Sequence, residues 1–138
     1  MEVRLQPTNS YFLVGGGIQL AEFCKLLKTK NKEVTVFAAK RHAEEVLPIL
    51  KLSLKEYLLS LDIKLISPED INNDQTFLSK CNSNTIVLGF GETYKFSQQV
   101  INDYKFRLLD VMGVPLPKYR GGAHYTWQIL NDNKDGGC

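Results

Sequence analysis

The chain has 138 residues, 43% of them hydrophobic and 23% charged, which is the composition of an ordinary globular protein and excludes a disordered one. That length suits one domain with roughly 70% of its unfolded surface buried. The net charge of +2 is too small and too evenly spread for a nucleic-acid face, which needs clustered cations. Lys25, Lys28, Lys30 and Lys32 do cluster, but at the polar end of a predicted helix, where a solvated face is the simpler reading. Three dispersed cysteines, Cys24, Cys81 and Cys138, argue against a disulfide framework and against zinc, and for a reducing compartment. Residues 1–9 lack the pattern of a secretory signal, and no apolar run approaches membrane-spanning length. A cytoplasmic protein without metal, membrane or nucleic-acid partner is the expectation.

In chain order, Ser10–Val14 (S-Y-F-L-V) reads as a short buried strand, ended by Gly15-Gly16-Gly17. Leu20, Phe23, Cys24 and Leu27 then recur at helical spacing, and Val34–Ala38 is a second strand. Strand, glycine turn, helix and strand make a βαβ unit with parallel strands. The triplet lacks the G-x-G-x-x-G spacing of a dinucleotide site and the Lys-Ser/Thr of a P-loop, so a plain turn is preferred and an anion cradle stays open. From Arg41 to Ser60 the apolar positions suit helix on both sides of Pro48, with a break or kink there. His42 lies among charges at a helix start and reads as a surface residue.

Ile63–Ile66 is a third strand, and Ser67-Pro68-Glu69-Asp70 a turn with helix-start chemistry. Phe77, Leu78 and Cys81 give a short helical face; Thr85–Leu88 is the fourth strand, running into Gly89-Phe90-Gly91-Glu92. Phe96, Val100, Ile101 and Tyr104 mark a helix before the last strand, Arg107–Met112. Pro115 and Pro117, with Gly121-Gly122, make a stiff irregular loop ahead of a helix carrying Tyr125, Ile129 and Leu130. Strands alternating with helices predict an α/β fold with a doubly wound, mostly parallel sheet, in a single domain over residues 1–138. Such sheets bind ligands at the carboxyl ends of their strands. Tyr125 and Trp127 are expected to pack the last helix on the sheet.

The loop Leu116-Pro117-Lys118-Tyr119-Arg120-Gly121-Gly122-Ala123 and the following W-Q-I-L-N-D-N-K-D-G-G resemble the folate-dependent formyltransferase family, whose pattern here reads L-P-K-Y-R-G and W-x-x-x-N-G. The nearer likeness is to the branch that formylates nucleotide-linked amino sugars, with methionyl-tRNA formyltransferases more distant. The resemblance implies a Rossmann-like fold of formyltransferase type, truncated at its carboxyl end. It implies transfer of a formyl group from 10-formyltetrahydrofolate to a small-molecule amine, most naturally of a nucleotide-linked sugar. It also implies folate contacts from Leu88, Gly89, Phe90, Gly91 and Glu92, and a substrate loop of Lys118, Tyr119, Arg120 and Gly121.

One departure bears on the chemistry. Counting back from the loop, the family's catalytic Asn falls on Asp110 and its His on Met112. An ionised Asp110 only accepts hydrogen bonds, and Met112 moves no proton. The family's third catalytic residue, an Asp further downstream, lies beyond Cys138. His124, where the family has Pro, would make a replacement base if Asp110 orients it; a histidine that caps or packs the helix start is the other reading. For Arg120, bonding to the loop's own carbonyls is simpler than contact with a ligand phosphate. An enzyme with this reorganised site, a catalytically silent domain that keeps the fold, and a plain dinucleotide-binding domain are the three functions in competition, the last weakened by its glycine spacing. An incomplete sheet would expose an apolar edge and favour a homo-oligomer.

Overall fold

In the computed structural model, which describes residues 4–91, 94–120, 124–135 and 137, the apolar run Ser10–Gly15 forms β1, with Phe12, Leu13 and Val14 all buried. Burial on both faces is possible only for a central strand of a sheet covered on both sides. β1 pairs in parallel with β2 (Glu33–Phe37) on one side and with β6 (Ile86–Phe90) on the other. β5 (Lys64–Ile66) adds to β2, and β7 (Leu108–Asp110) to β6, so the five-stranded sheet runs β5-β2-β1-β6-β7, all parallel. This is the doubly wound, Rossmann-like α/β arrangement that the alternation of elements predicts.

Alternate residues of each strand feed two cores. Leu13, Val34, Val36 and Phe90 pack under α1 (Gly17–Thr29) and α3 (Leu54–Ser60), joined by Leu20, Cys24, Leu54 and Leu58. Phe12, Val14, Phe37 and Val87 pack on the opposite face with Phe77 of α4 (Gln75–Leu78) and with Val100 and Tyr104 of α5 (Gln98–Tyr104). The rings of Phe12, Phe37 and Tyr104 all lie within 6 Å of Phe77, at centroid distances of 5.8, 5.2 and 5.0 Å. Cys24 is buried and its thiol is pushed up to about 12 by desolvation, an inert core residue. No described helix is long and apolar enough to cross a membrane.

The stretch around Pro48 corrects the expected kinked helix. α2 is a single turn, Lys40–Ala43, and β3 (Val46–Leu47) and β4 (Leu52–Ser53) form a small antiparallel hairpin that turns at residues 48–51. Proline removes the helical N–H and clashes one turn back, while Ser53 and Glu56 supply a capping box that starts α3 afresh: Ser53 Oγ accepts from the Glu56 N–H and Glu56 Oε2 from the Ser53 N–H. Smaller shifts occur elsewhere. α4 stops at Leu78, short of Cys81, and the last strand contracts to Leu108–Asp110 because Lys105–Arg107 forms a 3₁₀ turn.

Arg107 fastens that turn. Its guanidinium lies over the Tyr104 ring and donates to the carbonyls of Thr85 at 3.1 Å, Asp103 at 3.1 Å and Cys81, so one side chain joins the starts of β6 and β7 to the end of α5. Lysine cannot reproduce this planar fork. Replacing Arg107 by Met should cost about 2–3 kcal/mol, since it strands these carbonyls; urea unfolding should show a lower midpoint with an unchanged slope.

Candidate functional site

The strand order changes direction at β1. From β1 the chain moves outward through β2 and β5, then returns to place β6 and β7 on the other side. Loops leaving the carboxyl ends of β1 and β6 therefore diverge and open a crevice. Gly15 and Gly17 take φ of 122° and 82°, the left-handed region that glycine alone enters without strain, so the triplet serves first as a sharp strand-to-helix turn. The Gly16 N–H donates to the Phe90 carbonyl at 3.1 Å and ties the two strand ends together.

His42 is part of this turn, contrary to its expected surface role. A Cβ on Gly16 would stand 2.8 Å from the His42 Cβ and 2.9 Å from its Cγ, so only a glycine lets the imidazole lie against the backbone. The His42 Nδ1 is buried with no hydrogen-bond partner among the described residues. Burial and then Arg41 hold the imidazole below its ordinary value of 6.5, against an opposing pull from Glu45. Nothing in the sequence around Lys40-Arg41-His42 reveals this contact, which is made between α2 and the turn after β1 and not along the chain.

The expected folate-contacting residues fall in two places. Leu88, Gly89 and Phe90 belong to β6 itself, not to the loop after it, and Phe90 turns its ring inward, 5.7 Å from Phe23 of α1. A short apolar strand followed by G-F-G gives no signal for where pairing stops; here it stops at Gly91, whose φ of 59° turns the chain and whose missing Cβ faces open space. Glu92 lies outside the described residues. Asp110 ends β7, exposed and in register with Gly89, and the Val111 N–H donates to the Gly89 carbonyl at 2.9 Å. Gly91 thus follows β6 and Asp110 ends its neighbour β7 at the carboxyl end of the sheet.

The proline loop follows. Val114 and Tyr119 are buried and anchor it, the Leu116–Pro117 peptide is cis, and the N–H groups of Leu116 and Lys118 donate to Val114 and Pro115 carbonyls. Lys118 and Arg120 are exposed. Among the described residues Arg120 bonds no loop carbonyl, so the simpler role expected for it finds no support. Gly121 lies outside the described residues; so does the side chain of His124, whose backbone begins α6 (His124–Leu130). Tyr125 and Trp127 do not pack α6 on the sheet as expected: they are 61% and 58% exposed, because a seven-residue helix has no long apolar stripe to lay down. β7 has no strand on its outer side among the described residues, and Leu109 and Val111 there are part-exposed.

Elsewhere, a groove of about 750 Å³ opens beside β5, lined by Lys40, Lys55 and Lys64 with Glu44 and Asp62. It holds none of the residues singled out by sequence. Lys28 donates to the Asp62 carbonyl, and Lys32 to Thr8 and Asn9, so two lysines of the α1 cluster fasten neighbouring segments. No group of three or more His, Cys, Asp or Glu residues among those described could hold a metal.

Comparison with known proteins gives no matching family model. Methionyl-tRNA formyltransferases are similar in sequence: that of Finegoldia magna is 32% identical over 88 residues, 62% of this chain and 28% of the relative, and that of Pediococcus pentosaceus 33% over 101 residues, 71% and 29%. The chain thus spans less than a third of these relatives. In fold it resembles phosphoribosylglycinamide formyltransferase from Anaplasma phagocytophilum, with a TM-score of 0.65 at 12% identity, covering 94% of this chain and 61% of that one. Sequence and fold agree on a formyltransferase-type domain. The relatives carry the name of a tRNA, so the finer expectation of an amino-sugar branch without nucleic acid finds no support in them.

Two outcomes check the crevice. Gly16→Ala should destabilise the fold by about 1–3 kcal/mol by forcing His42 aside. Because the folded imidazole holds its proton less tightly than the unfolded one, His42 lets stability present above pH 6.5 be lost as the pH falls through its depressed folded value. A melting series from pH 8 to 5 should show this loss, and His42→Gln should flatten it.

Proposed function

We propose, from the premise of a formyltransferase-type domain, that this chain binds 10-formyltetrahydrofolate at the carboxyl end of β6 and belongs to an enzyme that passes its formyl group to an amine. The observation that carries the reading is that Gly91 follows β6, one of the two strands whose loops part where the strand order changes, and that Asp110 ends the neighbouring β7. Gly91 offers open backbone to a flat ring, with no side chain to exclude it. The donor supplies an electrophilic formyl carbon, and this chain would bring the groups that follow.

In that setting His124, with Asp110 at the end of β7 as its orienting carboxylate, is the residue we assign to take the proton of the attacking amine. The new C–N bond forms at the formyl carbon as the bond to the donor nitrogen breaks, and His124 delivers that proton to the departing nitrogen. Lys118, Tyr119, Arg120 and Gly121 border the acceptor side. Methionyl-tRNA and a nucleotide-linked amino sugar are the two acceptors in contention, the first favoured by the names of the sequence relatives.

A second reading rests on Asp110 and Met112. Lacking an amide donor and an imidazole at those positions, the chain would bind the donor without transfer, because one missing oxyanion donor alone costs ~10²–10³ in rate. Calorimetric titration with a stable analogue of 10-formyltetrahydrofolate should give micromolar binding under either reading; absence of binding would remove both. The readings part on variants. If the chain is a working enzyme, His124→Ala should lower formylation at least ~10²-fold. If it is silent, only the double variant Asp110→Asn with Met112→His should bring activity up.

A further inference from the structure

β5 is an edge of the sheet, and the groove of about 750 Å³ along its open side has the size of a whole ligand site. We propose that this groove is a docking site for an extended acidic peptide of a partner protein, which adds to β5 as a further strand. The proposal rests on the β5 edge alone and is independent of the donor crevice at the other strand ends.

The backbone comes first. β5 pairs only with β2, in a register that sets Lys64 opposite Thr35 and Ile66 opposite Phe37, and the Ile66 carbonyl accepts from the Ala38 N–H at 3.0 Å. Peptide groups alternate in direction along a strand, so those of Leu65, between Lys64 and Ile66, point away from β2. Leu65 and Ser67, two residues apart, both line the groove, which therefore follows the edge and does not merely cap its end. A strand laid there meets a backbone donor and acceptor that β2 leaves unused, the template for strand addition. At about 3.3 Å per residue, roughly four residues of a partner would span the edge from Ile63 to Ser67.

The side chains choose the partner. Lys55 and Leu59 are one turn apart on α3, both line the groove, and Leu59 is 77% exposed, an apolar surface beside the edge that nothing in the chain covers. An added strand turns one of its faces toward α3, so an apolar residue there would cover Leu59. Lys40, Lys55 and Lys64 are exposed around the groove and make no ion pair among the described residues. Three lysines against the two carboxylates of Glu44 and Asp62 leave an excess of positive charge. Lysines on an edge discourage a second copy of the same chain from pairing there, and an acidic strand turns that same charge into attraction. Alternating apolar and acidic residues are thus the pattern the groove fits.

A fluorescein-labelled, amidated peptide, Glu-Val-Glu-Val-Glu-Val, tests this by anisotropy against the whole chain at about 50 mM salt, where exposed charges still act. Saturable binding is expected, and the peptide with lysine in place of glutamate should bind at least about tenfold more weakly. The same acidic peptide N-methylated at every residue keeps its charges but has no N–H to give the edge, and it should also lose at least about tenfold. The double variant Lys55→Glu with Lys64→Glu should weaken the acidic peptide by a similar factor without moving the melting temperature, because both side chains are exposed. No binding, or an unchanged affinity in the double variant, would overturn the site. Equal binding of the N-methylated peptide, with inorganic tripolyphosphate displacing both, would overturn strand addition and leave the groove a surface for free anions.

Discussion

The structure depends on one strand being buried on both faces. β1 lies in the middle of the sheet with Phe12 and Val14 facing one core and Leu13 the other, and nothing but flanking parallel strands and covering helices can satisfy such a segment. Once β2 has taken one side of β1, the returning chain must pair β6 on the other, and the loops of the two halves part at their carboxyl ends. The bond from the Gly16 N–H to the Phe90 carbonyl closes the base of that parting. A glycine is required at position 16 because His42 occupies the space of its side chain, so the crevice is held from below by packing and from the side by hydrogen bonding.

Everything of chemical interest follows from where the strands end. Gly89 and Asp110 are brought side by side because β6 and β7 are neighbours in register, with Gly91 two residues on, and the proline loop is aimed by its buried anchors Val114 and Tyr119. Residues on such a frame can be exchanged without disturbing the fold. Asp110, exposed at the end of β7, is such a residue, and the cost of exchanging it falls on the reaction.

The parts legible in the sequence were those with strong local physics. S-Y-F-L-V, the glycine turn, the 3.6-residue period of α1 and V-T-V-F-A each dictate one structure, and together they gave β1, α1 and β2. Pro48 was seen as a break, but apolar spacing on either side could not distinguish two helices from a hairpin followed by one. The end of β6 was placed too early because Gly89 and Phe90 carry turn-like composition, while pairing with β1 holds them extended. Residue type alone sets Tyr125 and Trp127 against the sheet, and charged neighbours set His42 on the surface; the structure differs at both places because no local pattern encodes the contacts that decide them. The amino-sugar branch expected from the proline loop finds no support in the sequence relatives, which are named for methionyl-tRNA.

The account stands or falls on the crevice between β1 and β6 being the donor site. Backbone amide spectra of the isotopically labelled chain, recorded with and without a stable 10-formyltetrahydrofolate analogue, would test this residue by residue. The account predicts shifts concentrated at Gly15–Gly17, at Gly89–Gly91 and at Asp110–Val111, with α3 and the β5 edge unmoved. Shifts centred on the groove beside β5, with the β6 terminus silent, would contradict it.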